Sequence, residues 1–275
     1  MPAAFCRSIL FKRLFGKEFT VITMERLIKL IKETKKIALD SGSAHEIKIK
    51  GAADYVTRVD MGVQEFLRPR LAELYPEIQF MSEEKDNSRV DMSGKVWILD
   101  PIDGTTNLIH DYRMSAVSLG LAENGTPVLG VVYNPFTGEL FHAKKGDGAF
   151  LNGEPIHVSD AETLSSSLIS VGTSPYYKDM ADETFDTIKK VFAASEDIRR
   201  CGSAAMDLCY CACGRIDGYF ERRLKPWDYA AGTVILREAG GRVTAMGGGE
   251  PSMRVPSDII ATNGSIHTEL EELTG

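Results

Sequence analysis

The stretch Val96-Trp97-Ile98-Leu99-Asp100-Pro101-Ile102-Asp103-Gly104-Thr105-Thr106-Asn107 constrains this chain more than any other. Its apolar start, Val96 to Leu99, is a short run of the kind that forms a buried strand. The run ends on Asp100. Pro101 has no N–H to give to a ladder, so the strand is expected to stop there. Asp103 follows after one turn of chain, then Gly104, which lets the backbone approach something closely, then two hydroxyls. Two carboxylates at a strand end are costly unless a cation or water compensates them. Hard oxygen donors of this kind suit Mg²⁺. Gly104, Thr105 and Thr106 offer N–H and hydroxyl donors, and a helix opening at Thr105 would aim them at an anion. A cation site beside an anion site points to metal-assisted phosphoryl chemistry. The same Asp-Pro-x-Asp-Gly pattern also fits an ordinary turn, so the rest of the chain has to decide.

Composition narrows the classes. A net charge of −7 argues against a general nucleic-acid binder. An apolar fraction of 43 % is ordinary for a soluble globular chain and allows one large domain or two lobes. No apolar run is long enough to cross a membrane. The five cysteines are Cys6, Cys201, Cys209, Cys211 and Cys213, an odd number with four crowded into one segment. That is neither a secreted disulfide framework nor a zinc pattern. They read as reduced residues, mostly buried on a helix, which points to the cytoplasm. Residues 1–23 are basic and weakly amphipathic, without the apolar core or cleavage site of a signal peptide. They are expected to be a leader or disordered extension, with folding beginning near Met24.

Along the chain, Met24 to about Ser41 has helical spacing and Ser41-Gly42 ends it. Lys48 to Asp54 reads as a mobile loop or hairpin. Asp60 is expected to cap a second helix that reaches about Leu74, with Pro69 as a kink point. Ile78 to Met81 is a short strand with Ser82-Glu83-Glu84 at its end, where an acidic pair is usually a solvated turn. Ala116 to Leu121 and Val128 to Tyr133 are adjacent strands around Glu123-Asn124-Gly125, and Glu139 to Leu151 continues an antiparallel meander. The first lobe, residues 24–155, is therefore helices on a mostly antiparallel sheet. In residues 156–275, Leu168 to Val171, Tyr177 to Ala194, Ile198 to Cys201 and a helix from Gly202-Ser203 to about Gly214 alternate. Asp217 to Phe220 is a strand ending at Glu221. A helix from Pro226 to Ala239, strands at Val243 and at Ile259 to Ala261, and a short terminal helix complete an α/β second lobe. Gly202-Ser203 serves either as a helix cap or as an anion cradle.

The stretch from Trp97 to Asn107 resembles the signature of the inositol monophosphatase family, a group of lithium-sensitive, magnesium-dependent phosphatases. A second stretch agrees with it. Trp227-Asp228-Tyr229-Ala230-Ala231-Gly232, followed by Glu238-Ala239-Gly240-Gly241, is similar to the family's C-terminal signature. The resemblance covers nearly everything from Met24 onward. It implies an α/β (α+β by some schemes) fold, a five-layer α-β-α-β-α sandwich of the sugar phosphatase type, with the site between the lobes. Carried onto this sequence, it implies that Glu83, Asp100, the carbonyl of Ile102, Asp103 and Asp228 bind Mg²⁺. It implies that Thr105, oriented by Asp60, and Glu83 position a metal-activated water for in-line attack on phosphorus. Gly104, Thr105 and Thr106 would hold the phosphate. Gly202, Ser203, Ala204, Glu221 and Asp228 would lie near the alcohol portion.

The implied partner is a small phosphorylated polyol or sugar in a homodimeric enzyme. Nucleic acid and membrane are not expected as partners. Inositol monophosphate is the substrate of first choice. Fructose 1,6-bisphosphate, or another sugar or nucleotide phosphate, is the alternative, and a regulatory binding protein on the same scaffold is the non-enzymatic one. Lys50, in the loop before Asp54, would lie near a metal. Arg222-Arg223-Leu224 departs from the less basic segment of many relatives and is either a solvated face or a reach toward a second phosphate. His110 also departs and is expected to be structural.

Overall fold

Strand β4, Lys95–Asp103, is buried on both faces and alternates between two cores. Trp97 and Leu99 pack with Leu27, Val63 and Leu67, whereas Val96 and Ile98 pack with Leu208, Tyr229 and Ile235. A strand covered by helices on both sides lies in the middle of a layered protein. The computed structural model describes residues 22–44, 46–51 and 54–275, so the expectations for residues 1–21, Cys6 among them, lie outside the described residues.

The layers follow from that alternation. The outermost helices are α1 (Met24–Glu33), α2 (Lys35–Ala38), α3 (Ser41–Ala44) and α4 (Arg58–Leu74). They cover a seven-stranded sheet in the order β3 to β9, running from β3 (Gln79–Ser82) through β4, β5 (Ala116–Glu123) and β6 (Thr126–Tyr133) to β9 (Glu154–Pro155). Only β3 and β4 pair in parallel; the rest is an antiparallel meander. On its other face lie helices α7 (Ala204–Ala212) and α8 (Pro226–Glu238). These two are covered in turn by a five-stranded mixed sheet containing β10 (Leu168–Val171), β11 (Asp197–Arg199), β12 (Gly218–Leu224), β13 (Arg242–Ala245) and β14 (Ser257–Thr262). Helices α6 (Ala181–Ala194) and α9 (His267–Thr274) close the outside over Ile169, Phe220 and Ile260. The result is the expected five-layer α-β-α-β-α sandwich. Between β4 and β5 runs a short helix, α5 (Thr105–Ile109).

Three local expectations are corrected and one is narrowed. The first helix breaks at Thr34, whose hydroxyl donates to the Ile31 carbonyl at 2.6 Å and competes with the helical ladder. Of the two forms expected for Lys48 to Asp54, the hairpin is present, made of β1 (Ile47–Gly51) and β2 (Asp54–Thr57); the side chain of Lys50 lies outside the described residues. Thr57, not Asp60, caps α4. Its hydroxyl accepts from the N–H of Val59 and Asp60, while Asp60 Oδ2 accepts from the N–H of Thr57 at 2.8 Å, a reciprocal capping box. Most consequential is β4, which does not stop at Pro101. Asp100 pairs with Ser118 and Asp103 with Ala116, so Pro101 and Ile102 together oppose Val117. This β-bulge absorbs the missing proline N–H.

The inner helix α8 lies directly on the sheet because both sides are small. A Cβ at Gly130 would stand 2.3 Å from the Ala231 carbonyl oxygen, and one at Gly120 would stand 3.1 Å from Ala230 Cβ. Gly130→Ala is therefore expected to destabilise the fold by about 1–3 kcal/mol through overpacking. Urea denaturation checks this as a lower midpoint at unchanged slope.

Candidate active site

In a regular strand, positions i and i+3 point to opposite faces. The extra residue in the β4 bulge cancels that and turns Asp100 and Asp103 to the same inner side. Helix α8 brings Asp228 to them from its first turn. One carboxylate oxygen from each of Asp100, Asp103 and Asp228 lies within 4.8 Å of the others. Asp100 is 2 % exposed and Asp103 8 %.

Each carboxylate is held by donors of its own. Asp100 Oδ1 accepts from the Ile102 N–H at 3.0 Å. Asp103 Oδ2 accepts from Ser203 Oγ at 2.5 Å and from the Ala205 N–H at 2.7 Å. Asp228 Oδ2 accepts from the Lys225 N–H at 2.6 Å. Asp103 and Asp228 thus sit at the N-terminal ends of α7 and α8, where the helix dipole favours negative charge. Burial still dominates. It raises Asp100 well above the ordinary carboxylate range, with Glu83, Asp103 and Asp228 adding repulsion. Burial likewise raises Asp228, helped by Asp103 and Glu83, and it pushes Asp103 up to about 6 against the pull of its Ser203 and Ala205 donors.

Such a group of hard oxygen donors, largely buried and mutually repelling, fits a divalent cation. Glu83 stands at the end of β3, with its N–H on the Leu99 carbonyl at 3.3 Å. Its charge acts on Asp100 and Asp228, although it is outside the group of three. The Ile102 carbonyl accepts the Thr105 hydroxyl at 3.1 Å, and its side chain is in the outer core.

Above the carboxylates is a cleft of about 470 Å³. Asp103, Gly104, Thr105, Thr106 and Asp228 form one part of its lining, and Gly202, Ala204 and Glu221 another. Gly104 takes φ +87°, and a Cβ there would stand 2.9 Å from the Met114 carbonyl oxygen, so only glycine fits. Thr105 Oγ1 is 3.1 Å from Asp60 Oδ1. Asp60 is fully buried beneath it, and burial pushes its carboxyl up to about 6 despite the Thr57 and Thr105 hydrogen bonds. Ser203 does not face the cleft. Its hydroxyl is engaged by Asp103 and accepts the Met206 N–H that opens α7. Glu221 accepts the Ser174 N–H at 2.8 Å and the Tyr219 hydroxyl at 2.7 Å; burial raises it.

Two sequence expectations change here. Arg222 and Arg223 form a second bulge opposite Asp258 in β12 and β14, and neither lines the cleft. Arg222 pairs with Glu183 at 3.0 Å and its side chain is 16 % exposed, so it ties β12 to α6 rather than forming a solvated face. His110 is exposed and lines the cleft instead of serving the core. Sequence reasoning also passed over Tyr55, Lys178 and Arg200, which line the same cleft. Only Arg200 carried a signal, two residues before Gly202.

The model of the inositol monophosphatase family matches residues 17–274, reaching back beyond Met24. This chain belongs to the inositol monophosphatase family. An inositol-1-monophosphatase of Synechocystis sp. is 40 % identical over 232 residues, covering 84 % of this chain and 80 % of that protein. A protein of Escherichia coli named Nus factor SuhB is 38 % identical over 224 residues, with 82 % and 84 % covered. The crystal structure of extragenic suppressor protein suhB from Bartonella henselae superposes with a TM-score of 0.84 at 35 % identity, covering 91 % of this chain and 97 % of that one. Family members therefore carry both enzyme names and a regulatory-factor name. No helix among the described residues is long and apolar enough to cross a membrane.

Because Asp103 is raised from 3.8 to about 6 by folding, the folded chain binds more protons than the unfolded one between those values. The stability this contributes is present below the unfolded value and is lost as pH rises through about 6. In chelator-treated protein, Asp103→Asn should therefore gain stability relative to the parent as pH rises from about 4 to 7, by about 3 kcal/mol at most. Thermal unfolding across pH checks it as a difference in melting temperature that widens upward.

Proposed function

We propose that the chain is a Mg²⁺-dependent phosphomonoesterase that hydrolyses inositol monophosphate to myo-inositol and phosphate. One observation carries this reading: Asp100 and Asp103 of β4 meet Asp228 of α8, and Asp103 and Asp228 line a cleft together with Gly104, Thr105 and Thr106. Family membership supports the phosphatase class, and the name of the Synechocystis relative supports the inositol substrate.

In this reading Asp100, Asp103, Asp228, Glu83 and the Ile102 carbonyl hold the cation. Mg²⁺, when bound, supplies Lewis-acid stabilisation of the phosphoryl oxygens and the leaving alkoxide. Gly104, Thr105 and Thr106 orient the phosphate through N–H and hydroxyl donors. Asp60, ionised above about pH 6, accepts the Thr105 hydroxyl proton at 3.1 Å. Oγ1 then turns its lone pairs toward the cleft, where it accepts a hydrogen bond from the attacking water. Glu83 accepts the water's other O–H, aligns the water opposite the ester oxygen and takes that proton as the new P–O bond forms, while the P–O bond to the alcohol breaks and the departing alkoxide is protonated from solvent. Glu221 and Asp228 accept hydrogen bonds from substrate hydroxyls, with Gly202 and Ala204 shaping the wall beside them. Ser203 acts through Asp103 by fixing its carboxylate. The four described cysteines are all free, which fits the cytoplasm, and a homodimer and lithium inhibition accompany the family reading.

The relative named Nus factor SuhB motivates the second reading, a regulatory protein on this scaffold. Phosphate release separates the two. Inositol 1-phosphate turnover should require Mg²⁺, and Asp100→Asn should lower kcat/KM by about 10³-fold, or about 4 kcal/mol. The asparagine keeps an acceptor for the Ile102 N–H, so circular dichroism should be unchanged. Full activity in this variant, or no phosphate release from the folded parent, would overturn the reading.

A further inference from the structure

Asn107 ends the first motif, yet the reaction described above gives it nothing to do. It is buried and does not line the cleft. Its amide nevertheless meets three carbonyls. Nδ2 donates to the Met114 carbonyl at 2.7 Å, to that of Cys201 at 2.9 Å and to that of Gly202 at 3.2 Å. An amide nitrogen carries two N–H groups, so one of them is shared between two acceptors.

Those carbonyls belong to two lobes. Met114 lies between α5 and β5, whereas Cys201 and Gly202 form the turn from β11 into α7. Asn107 follows Thr106 of the phosphate cradle, and Gly202 lies two residues before Ala204 on the other part of the cleft lining. The amide therefore ties the cradle to that wall. The backbones are close at this point: a Cβ at Gly104 would stand 3.1 Å from the Gly202 carbonyl oxygen, and a Cβ at Gly202 would stand 3.2 Å from Asn107 Nδ2. The cradle also has supports within its own lobe. Ser115 Oγ donates to the Gly104 carbonyl at 2.9 Å, and Thr105 Oγ1 donates to Asp60 at 3.1 Å. Ser203 and Ala205 make another link between the lobes, but they make it to Asp103, a group that the cation would share. The Asn107 link is neutral and independent of the carboxylates.

A displacement on phosphorus depends on where the leaving alcohol is held, and a misplacement of 1 Å costs about 10²-fold. Resting on the phosphatase reading above, we propose that Asn107 is a positioning residue: from behind the cleft it sets the distance between the phosphate cradle at Gly104 to Thr106 and the wall at Gly202 and Ala204 that receives the alcohol portion. Removing its donors leaves the cradle supported and lets the wall drift. The grip on the alcohol portion is then lost, while the grip on phosphate alone remains.

The test measures two constants in the parent, Asn107→Ser and Asn107→Asp, at one fixed Mg²⁺ concentration: KM for inositol 1-phosphate and the competitive inhibition constant of inorganic phosphate. Serine withdraws the donor from the carbonyls, and an ionised aspartate keeps the shape but offers only acceptors. Neither constant depends on how much of the enzyme is folded, so a purely structural role would move neither. KM should rise at least tenfold in both variants, and the phosphate constant should change less than twofold. The inference is overturned by an unchanged KM with only kcat or melting temperature lowered, by KM and the phosphate constant rising by the same factor, or by two variants that do not fold. Each of these leaves the phosphatase reading standing. A folded parent that releases no phosphate from inositol 1-phosphate overturns both.

Discussion

Three carboxylates with one oxygen each held within 4.8 Å of the others, two of them buried and one partly buried, repel each other, and much of the molecule is arranged around that repulsion. Removing a charge from water is already costly, and removing three of one sign is more so. The fold offsets part of this. It ends α7 and α8 at the cluster and aims the Ala205 and Lys225 N–H groups at two of the carboxylates. The remaining repulsion appears as the upward displacement of Asp100, Asp103 and Asp228. A divalent cation is the counter-charge that such an arrangement calls for.

The cluster also depends on how the two sheets are joined. Asp100 and Asp103 come from a strand of the seven-stranded sheet, and Asp228 comes from a helix connecting strands of the five-stranded sheet. Their separation is therefore set by how closely α8 approaches β4 to β6. Gly120 and Gly130 on the sheet, facing Ala230 and Ala231 on the helix, bring that distance down. The run of small residues after Asp228 is thus part of the same device as the carboxylate itself. It is packing that fixes the depth at which Asp228 stands.

The buried strand at Val96 to Leu99 and the helix of small residues after Asp228 were legible as local patterns, whereas the layer order and the grouping of Asp228 with Asp100 and Asp103 came from the resemblance of two separated motifs to the inositol monophosphatase family. The bulge was not legible, because it depends on which residues of β5 pair with β4, and a proline in isolation reads as a strand end. The break at Thr34 was missed because side-chain bonding to a carbonyl leaves the apolar spacing intact. Arg222 and Arg223 drew attention as adjacent charges, but Glu183 and Asp258, distant in sequence, pair with Arg222, and the exposed Arg223 guanidinium lies over the Tyr177 ring. Lys178 and Arg200 went unnoticed for the converse reason. Only the folded chain shows that these two residues line the same cleft as Gly104, Thr105 and Thr106.

The central claim is that residues more than a hundred positions apart form one cation site. Calorimetric titration of Mg²⁺ into the full chain and into Asp228→Asn tests it most directly. Saturable binding in the parent that weakens at least tenfold in the variant, with the fold unchanged by circular dichroism, is the predicted result. Equal Mg²⁺ affinity in the two proteins, or no binding to the parent, would contradict the account.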